Sequence, residues 1–297
     1  MGLVVLVALL GVMAFSAEAP QPNSGGIERG TLPANWITGA SCPETPQFRL
    51  HEYNDDFYVL RQSACTNFEK PFLYLIFGGR SALLVDTGAA NADAAGAIRD
   101  AMARWSAKHA GASLPLIVAH SHGHGDHVAG DAQLKDRPNT TFVAATPEAL
   151  RFFGFRDWPN DVVSYDLGDR AIDILAIPGH QPASIAIYDR RTAILLTGDT
   201  LYPGRLYVRD AAAFTRSVQR LVDFTNGKIV AHVLGAHIEN ARAPYVDYPE
   251  GTIHQPDEHA LELGRAHLLE LNEALRQMDG HVVRRALRDF TIWPLER

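Results

Sequence analysis

The sequence predicts an α/β fold from three observations. Short apolar runs such as residues 114–119 are typical of strands buried on both faces. Segments with helical spacing lie between such runs, and in residues 91–108 the side chains of Ala97, Ile98 and Trp105 fall on one side. Each half of the chain also passes from strands to helices. Such an arrangement of strands and helices indicates an α/β architecture.

The individual elements follow from local patterns. Strands are predicted at residues 57–61, 72–77, 82–85, 114–119, 142–145, around 165, and at 172–177, 184–188, 193–197, 229–234 and 290–293. Helices are predicted at residues 91–108, 128–134, 147–153, 212–224 and 257–278. Gly78-Gly79 is predicted as a tight hairpin turn, and Asp257 as the N-cap of the last helix. Residues 239–256 are predicted to form a long loop.

Composition limits the class of protein. Apolar residues make up 46% of the chain and charged residues 21%, which is typical of a globular protein with a sizeable core. The formal net charge of −7 argues against a broad nucleic-acid-binding surface, so no nucleic-acid partner is expected. The sequence does not indicate an oligomeric state.

The N-terminus predicts export. Residues 3–15 are apolar, too short a run to span a bilayer comfortably, and they lead into an Ala-x-Ala end at Ala19. We expect residues 1–19 to be a signal peptide, with a cut after Ser16 as the alternative. Residues 20–40 are expected to be a flexible lead-in, and residues 41–297 a single domain. The protein would then be periplasmic or extracellular, without stable membrane insertion after signal removal. It would be cytoplasmic if the apolar run is not a signal.

The two cysteines, Cys42 and Cys65, both precede a histidine-rich segment at residues 120–127. In an exported protein such a pair suggests a disulfide. Two free structural thiols are the alternative.

A histidine-rich segment directly follows the apolar run at 114–119. Side chains two apart in extended backbone point the same way, so His122 and His124 could hold one ion together. Gly123 and Gly125 would permit tight turns here. The segment has a metal-ligand spacing, which reads His122-x-His124-x-Asp126-His127.

Three later motifs place metal-capable residues after apolar runs in the same way. They are Pro178-Gly-His180, Thr197-Gly-Asp199-Thr and Gly235-Ala-His237. Asp86 follows a fourth run, in Leu-Val-Asp86-Thr-Gly. Open α/β sheets bind ligands at the carboxyl ends of their strands, so we expect these residues to converge.

Taken together, these motifs resemble the metallo-β-lactamase-fold hydrolases, over a stretch from about residue 73 to residue 237. The resemblance implies a four-layer αββα sandwich of the metallo-β-lactamase type. It implies a first metal held by His122, His124 and His180, and a second held by Asp126, His127 and His237. Asp199 would bridge the two ions. Asp126 is predicted to be a catalytic residue as well as a metal ligand. The cofactors would be two divalent metal ions, most simply zinc, with iron or manganese as alternatives.

Further residues are predicted to surround the metals or to shape the substrate pocket. Asp86 and His120 would orient ligands from behind. The loops at 202–207 and 239–256 would shape the pocket, and their candidate residues are Tyr202, Arg205, Tyr207 and His254.

The predicted function is hydrolysis of a small-molecule substrate. Two ions could activate a shared water to cleave an ester, thioester, lactone or related bond. Thr-Gly-Asp199-Thr resembles the glyoxalase II and lactonase branch rather than true β-lactamases, so β-lactam hydrolysis is a lesser alternative. A mononuclear-iron oxidoreductase resembling the persulfide dioxygenases is a second alternative, and a non-catalytic binding module is a third.

Overall fold

The structure is a computed structural model that describes residues 26–36, residue 42 and residues 45–295. The predicted signal peptide lies outside these residues. Within the described part of the chain, no helix is both long enough and apolar enough to cross a membrane.

The first large sheet has six strands in the order β1-β2-β3-β4-β5-β6. Strands β1 to β4 are antiparallel, whereas β4, β5 and β6 run parallel. Every residue of β2 to β5 is buried, as expected for strands covered on both faces. The strands are β1 Phe48–Asn54, β2 Phe57–Gln62, β3 Phe72–Phe77, β4 Ala82–Val85, β5 Leu116–Ala119 and β6 Thr140–Phe142.

The second large sheet also has six strands, in the order β13-β12-β10-β9-β8-β7. Strands β10 and β12 are parallel, and the other neighbours are antiparallel. The strands are β7 Val162–Asp166, β8 Ala171–Ala176, β9 Ile185–Asp189, β10 Ile194–Gly198, β12 His232–Gly235 and β13 Glu262–Leu263. A small third sheet contains β11 Arg205–Val208, β14 Arg285–Ala286 and, between them, β15 Thr291–Pro294.

Three long helices cover the outer faces of the large sheets, and two single turns lie near the histidine-rich segment. The side chains of Asp93 and Asp210 accept hydrogen bonds from backbone N–H groups in the first turns of α1 and α4 and so cap these helices. The helices are α1 Ala94–Lys108, α2 Gly125–Val128, α3 Asp131–Leu134, α4 Ala211–Phe224 and α5 Arg265–Gln277.

Three apolar clusters define the layers. One lies between the two large sheets. A second joins the outer face of the second sheet to α4 and α5, and a third joins the outer face of the first sheet to α1. The predicted αββα sandwich is confirmed.

The prediction was wrong at the start of the last helix. Helix α5 begins at Arg265 with Gly264 as its N-cap, so Asp257 is not the cap. Residues 257–264 are not helical: only Glu262–Leu263 forms a strand, in which Leu263 pairs with Val233 of the second sheet, and Leu261 is buried between the sheets. Sheet pairing and burial therefore override the helical pattern in this segment.

Smaller differences have local causes. Residues 147–153 contain only a short 3-10 helix, Ala149–Phe153, and residues 128–134 are divided between α2 and α3. The strand predicted from residue 229 begins at His232, where pairing with Ile194 of the neighbouring strand begins, and Ile229 is 62% exposed. A tight hairpin turn is present near the predicted Gly78-Gly79, but its central residues are Gly79 and Arg80, because Gly78 N donates to Ser81 O. Strands β1, β11, β13 and β14 were not predicted.

The segment before β1 contacts the sheets. Trp36 is 3% exposed and meets the ring of Phe72 edge-on, while Thr31 N donates to Tyr53 O. Trp36 and the backbone of Thr31, both within the expected flexible lead-in, therefore contact the domain. A disulfide joins Cys42 to Cys65, which ties this region to the loop after β2.

Candidate metal centre

The fold brings polar residues together at one edge of the sandwich. Asp86 follows β4, the histidine-rich segment follows β5, and Asp199 follows β10. His180 lies in the loop after β8, and His237 lies two residues beyond β12. The carboxyl ends of these strands face the same edge, which is where open α/β sheets place their sites.

Three histidines form the first donor group, which consists of His122, His124 and His180. The Nε2 atoms of His122 and His180 lie 3.0 Å and 2.9 Å from Nδ1 of His124. Nitrogen ligands of a tetrahedral zinc ion stand about 3.3 Å apart, given a zinc–nitrogen bond of about 2.0–2.1 Å. The group therefore fits a single ion.

The second donor group contains both acidic and imidazole ligands: Asp126, His127, Asp199 and His237. Asp126 Oδ2 lies 3.1 Å from His127 Nε2 and 3.2 Å from His237 Nε2. The two Nε2 atoms are 3.4 Å apart. These separations also fit one ion.

Asp199 lies between the groups. Its Oδ1 is 3.5 Å from His127 Nε2 and 3.4 Å from His237 Nε2. Its Oδ2 is 3.7 Å from His122 Nε2 and 3.5 Å from His180 Nε2. Oδ1 is buried without a hydrogen-bond partner among the described residues, as would suit an oxygen that binds a cation.

Hydrogen bonds behind the donors fix which nitrogen each histidine presents. His180 Nδ1 donates to Tyr207 O at 2.8 Å, and His237 Nδ1 donates to Glu69 O at 2.9 Å. Each Nε2 then has its lone pair directed toward the site.

Asp86 orients two further histidines. It accepts hydrogen bonds from Ser121 N at 2.7 Å, from Ser121 Oγ at 2.8 Å and from His127 Nδ1 at 2.9 Å. Ser121 Oγ in turn accepts from His122 Nδ1 at 3.1 Å. Both imidazoles are thereby held with Nε2 toward the donors.

The electrostatics favour neutral imidazole in the first group. Burial lowers the pKa of His122 well below its ordinary value, and the charge on His127 lowers it further. Burial and then His180 lower the pKa of His124 to about 4. Both residues are therefore in the form that binds a metal ion at neutral pH.

The second group balances two carboxylates against two imidazoles. Burial opposes ionisation of Asp199, but His237 and His127 outweigh it and hold the pKa of its carboxyl well below the usual range. Burial likewise disfavours protonated His237, but Asp199 and Asp126 raise its pKa to about 9. A divalent cation could take over this compensating positive charge.

The backbone of the site requires glycine at Gly198 rather than at the predicted positions Gly123 and Gly125. Neither Gly123 nor Gly125 has a positive φ, and a Cβ on Gly125 would meet nothing within 4 Å. At Gly198, by contrast, φ is +51° and a Cβ would lie 2.8 Å from Ser121 Cβ. Gly198 thus allows Asp199 to approach the histidine-rich segment.

A cavity of about 310 Å³ opens directly onto both donor groups. Tyr202 and Tyr207 line it. Arg205 does not, but it supports the wall through hydrogen bonds to Tyr207 Oη at 3.1 Å and to Glu239 at 2.9 Å. The lining residues are Glu69, His124, Asp126, His180, Asp199, Tyr202, Tyr207, Arg209, His237, Glu239, Glu250 and Leu295.

Two described residues that were predicted to belong to the site, His120 and His254, make no hydrogen bond to the proposed metal ligands. His120 is buried behind the site, 2.8 Å from Asp131 Oδ1 and 3.2 Å from Val143 O. His254 is exposed and is not among the cavity-lining residues, so the structure does not bring it to the site.

Sequence reasoning missed several residues of the site. Glu69, Arg209, Glu239 and Glu250 line the cavity, and Ser121 connects Asp86 to His122. The position of Ser121 inside the histidine-rich motif could have indicated that it belongs to the site. Glu239 and Glu250 belong to the loop at 239–256 that was predicted to shape the pocket, but no motif singled them out. Glu69 and Arg209 lie outside the predicted pocket loops.

Curated relatives match the region around the metal-binding motifs. A hydroxyacylglutathione hydrolase of Methylococcus capsulatus is 35% identical over 107 residues, which are 35% of this chain and 42% of that protein. The acyl-coenzyme A thioesterase MBLAC2 of Gallus gallus is 35% identical over 81 residues, which are 26% of this chain and 28% of that protein. The chain thus spans less than half the length of these relatives.

Solved structures share the fold at low identity. The metallo-β-lactamase FIM-1 from Pseudomonas aeruginosa, in its mono-zinc form, has a TM-score of 0.54 at 15% identity, covering 80% of this chain and 98% of that one. A metallo-β-lactamase from Pontibacter korlensis has a TM-score of 0.52 at 13% identity, covering 77% and 99%. The family model described as the metallo-beta-lactamase superfamily matches residues 68–251, more than half of the chain. The chain therefore belongs to the metallo-β-lactamase superfamily.

Proposed function

We propose that the protein is a metal-dependent hydrolase that cleaves an ester, thioester or related acyl bond in a small molecule. The observation that carries the proposal is the position of Asp199, with one carboxylate oxygen toward each donor group at the floor of the cavity. The relatives support an acyl substrate, since two of them are named as a hydroxyacylglutathione hydrolase and an acyl-coenzyme A thioesterase.

The proposed cofactors are two divalent metal ions, with zinc as the first choice because imidazole is the predominant ligand. His122, His124 and His180 would hold one ion, Asp126, His127 and His237 the other, and Asp199 would bridge them. Such ions would supply Lewis acidity and an activated water to the site.

The protein side chains would prepare the site for this reaction. The Nδ1 hydrogen bonds of His127, His180 and His237 hold the imidazoles in one tautomer, so the ligand geometry is fixed before substrate binds. Asp126 faces the cavity at 19% side-chain exposure, and in the proposed reaction it would also orient the attacking water. Tyr202 and Tyr207 would form the wall against which the acyl group packs.

We also propose that the protein is exported, because the Cys42–Cys65 disulfide is stable in an oxidising compartment. Mass spectrometry of the mature N-terminus, after expression with the complete leader, would test the cut after Ala19 against the cut after Ser16.

The test of the proposed function is metal content followed by turnover. The protein, purified without chelators or added metal, is expected to hold about two zinc or manganese ions per chain and to hydrolyse members of an ester, thioester and lactone panel. Asp199→Asn should lower the metal content and abolish turnover, because the bridging carboxylate is lost, whereas the matched control Asp223→Asn on α4 should retain both. About one iron per chain with sulfur-oxidising activity would contradict the proposal, as would failure to bind any divalent metal.

A further inference from the structure

The charged residues around the cavity are unevenly distributed. Apart from the proposed ligands, three lining residues are acidic: Glu69, Glu239 and Glu250. Arg209 is the one lysine or arginine among the described lining residues. Glu239 is ion-paired with Arg205, so the acidic wall that would repel an entering anionic group consists mainly of Glu69 and Glu250. Such a group would be attracted toward Arg209 and the proposed metal ions.

Arg209 differs from the neighbouring Arg205 in being available to a ligand. Arg205 is paired with Glu239 at 2.9 Å and with Asp247 at 2.8 Å. The Arg209 side chain is exposed, and no carboxylate of the described residues lies within ion-pairing distance of it. Its five N–H donors can therefore bind an incoming anion without breaking an internal ion pair.

The backbone around Arg209 is held in place. Arg209 N and Asp210 N both donate to Gly179 O, at 3.0 Å and 2.9 Å, next to His180. On the other side, Val208 O accepts a hydrogen bond from Leu295 N at 2.9 Å, and Leu295 also lines the cavity. Arg209 thus extends from a fixed backbone on the side of the first donor group.

We infer that Arg209 binds an anionic group of the substrate, a carboxylate or a phosphate, on the His124 and His180 side of the cavity. The inference rests on the proposed function for the identity of the reacting bond. It narrows the substrate class to acyl compounds that carry a negative charge beside the scissile bond. The acidic wall would disfavour the reversed orientation.

The test measures binding of thioethers, which resemble thioester substrates but have no carbonyl to cleave. The probes are 3-(benzylthio)propanoate, 2-(benzylthio)ethyl phosphate and the neutral 2-(benzylthio)ethanol, titrated into zinc-loaded protein by calorimetry. The Arg209→Met variant is expected to bind one or both anionic probes about ten-fold more weakly than wild type, since a hydrogen bond to a charged group is lost. The neutral probe should change by less than about two-fold.

Two further variants sharpen the result. Arg209→Lys should restore part of the lost affinity, because it keeps the charge but not the paired donors. Arg216→Met is the matched control, because Arg216 is an exposed arginine on α4 that does not line the cavity, and its affinities should equal those of wild type.

Selective loss with the carboxylate or with the phosphate identifies which anion is bound. Unchanged affinity for both anions in Arg209→Met would overturn the inference and indicate that the anions bind the metal ions alone. Wild-type protein that binds the anions no more tightly than the neutral probe would also overturn it. Because these are binding measurements, an absence of ester and thioester turnover would count against the proposed function without altering the result for Arg209.

Discussion

At the scale of single residues, Asp86 shows how an unusual backbone conformation serves the site. Its φ of +70° lies in the left-handed region, and its carboxylate accepts three hydrogen bonds from Ser121 and His127. An Asp86→Asn variant should keep the backbone conformation, because asparagine also tolerates this region. Its amide cannot accept all three bonds, so we expect metal affinity to fall about 10- to 100-fold.

Competition with a chromophoric zinc chelator would measure this loss. The exposed Asp136→Asn is the matched control and should leave zinc affinity unchanged. Equal affinities for wild type and Asp86→Asn would show that Asp86 does not orient His127.

Lys70 illustrates a buried charge whose effect depends on pH. Burial and then Arg61 lower the pKa of its amine from 10.5 to about 8. Between these two values the unfolded chain binds more protons than the folded chain, so this residue makes stability rise as pH increases from about 8 to 10.5. In Lys70→Met that contribution disappears.

Urea unfolding at pH 7, 8, 9 and 10 would measure the effect. The free energy of unfolding of wild type minus that of Lys70→Met should increase over this range. The corresponding difference for the exposed Lys135→Met should stay flat. A flat difference for Lys70 as well would mean that its amine titrates normally in the folded protein.

At the scale of elements, the Cys42–Cys65 disulfide closes a loop with a sequence separation of 23. In the chain-entropy model this contributes about 3 kcal/mol to the free energy of unfolding. Reduction of wild type should therefore lower the urea midpoint, whereas reduction of the Cys42→Ala/Cys65→Ala variant should have no effect. An equal midpoint for oxidised and reduced wild type would show that the loop is already restricted in the unfolded chain.

The strands show where sequence-based prediction succeeded and where it failed. Strands β3 and β4 were predicted at their observed bounds, because continuous apolar runs are the local signature of strands buried on both faces. Residues 257–264 were misassigned because their partner strand β12 is distant in sequence. Strand β11 was missed for a similar reason, since it pairs with β15 more than 80 residues later.

At the scale of the whole molecule, the candidate site also contains some residues that were predicted from sequence and others that were not. All seven proposed ligands were predicted from short motifs, and the structure brings them into two adjacent groups. Glu69 and Arg209 were not predicted, and Glu239 was predicted only as part of the pocket-shaping loop at 239–256, because only folding brings these three segments to one cavity. The superfamily was thus readable from local sequence motifs, whereas the charges around the cavity depend on tertiary structure.

The two halves of the chain are joined by a buried ion pair. Arg61 Nη1 lies 3.1 Å from Glu258 Oε2, and both side chains are at most 1% exposed. Glu258 Oε1 also accepts a hydrogen bond from Trp36 N at 3.0 Å, so one carboxylate connects the N-terminal segment, the first sheet and the loop before β13. Glu258→Gln would leave the Arg61 charge buried without its counterion. We expect the free energy of unfolding to fall by about 3–5 kcal/mol.

The exposed pair Arg80–Asp166, whose side chains are 70% and 52% exposed, provides the contrast. Asp166→Asn should cost less than about 1 kcal/mol, because water already solvates both charges. Urea unfolding of the two variants beside wild type would measure both values. Similar small losses in both would mean that water reaches Arg61 when Glu258 is neutral. A large loss confined to Glu258→Gln would show that Arg61 stays desolvated in the variant and depends on this carboxylate as its counterion.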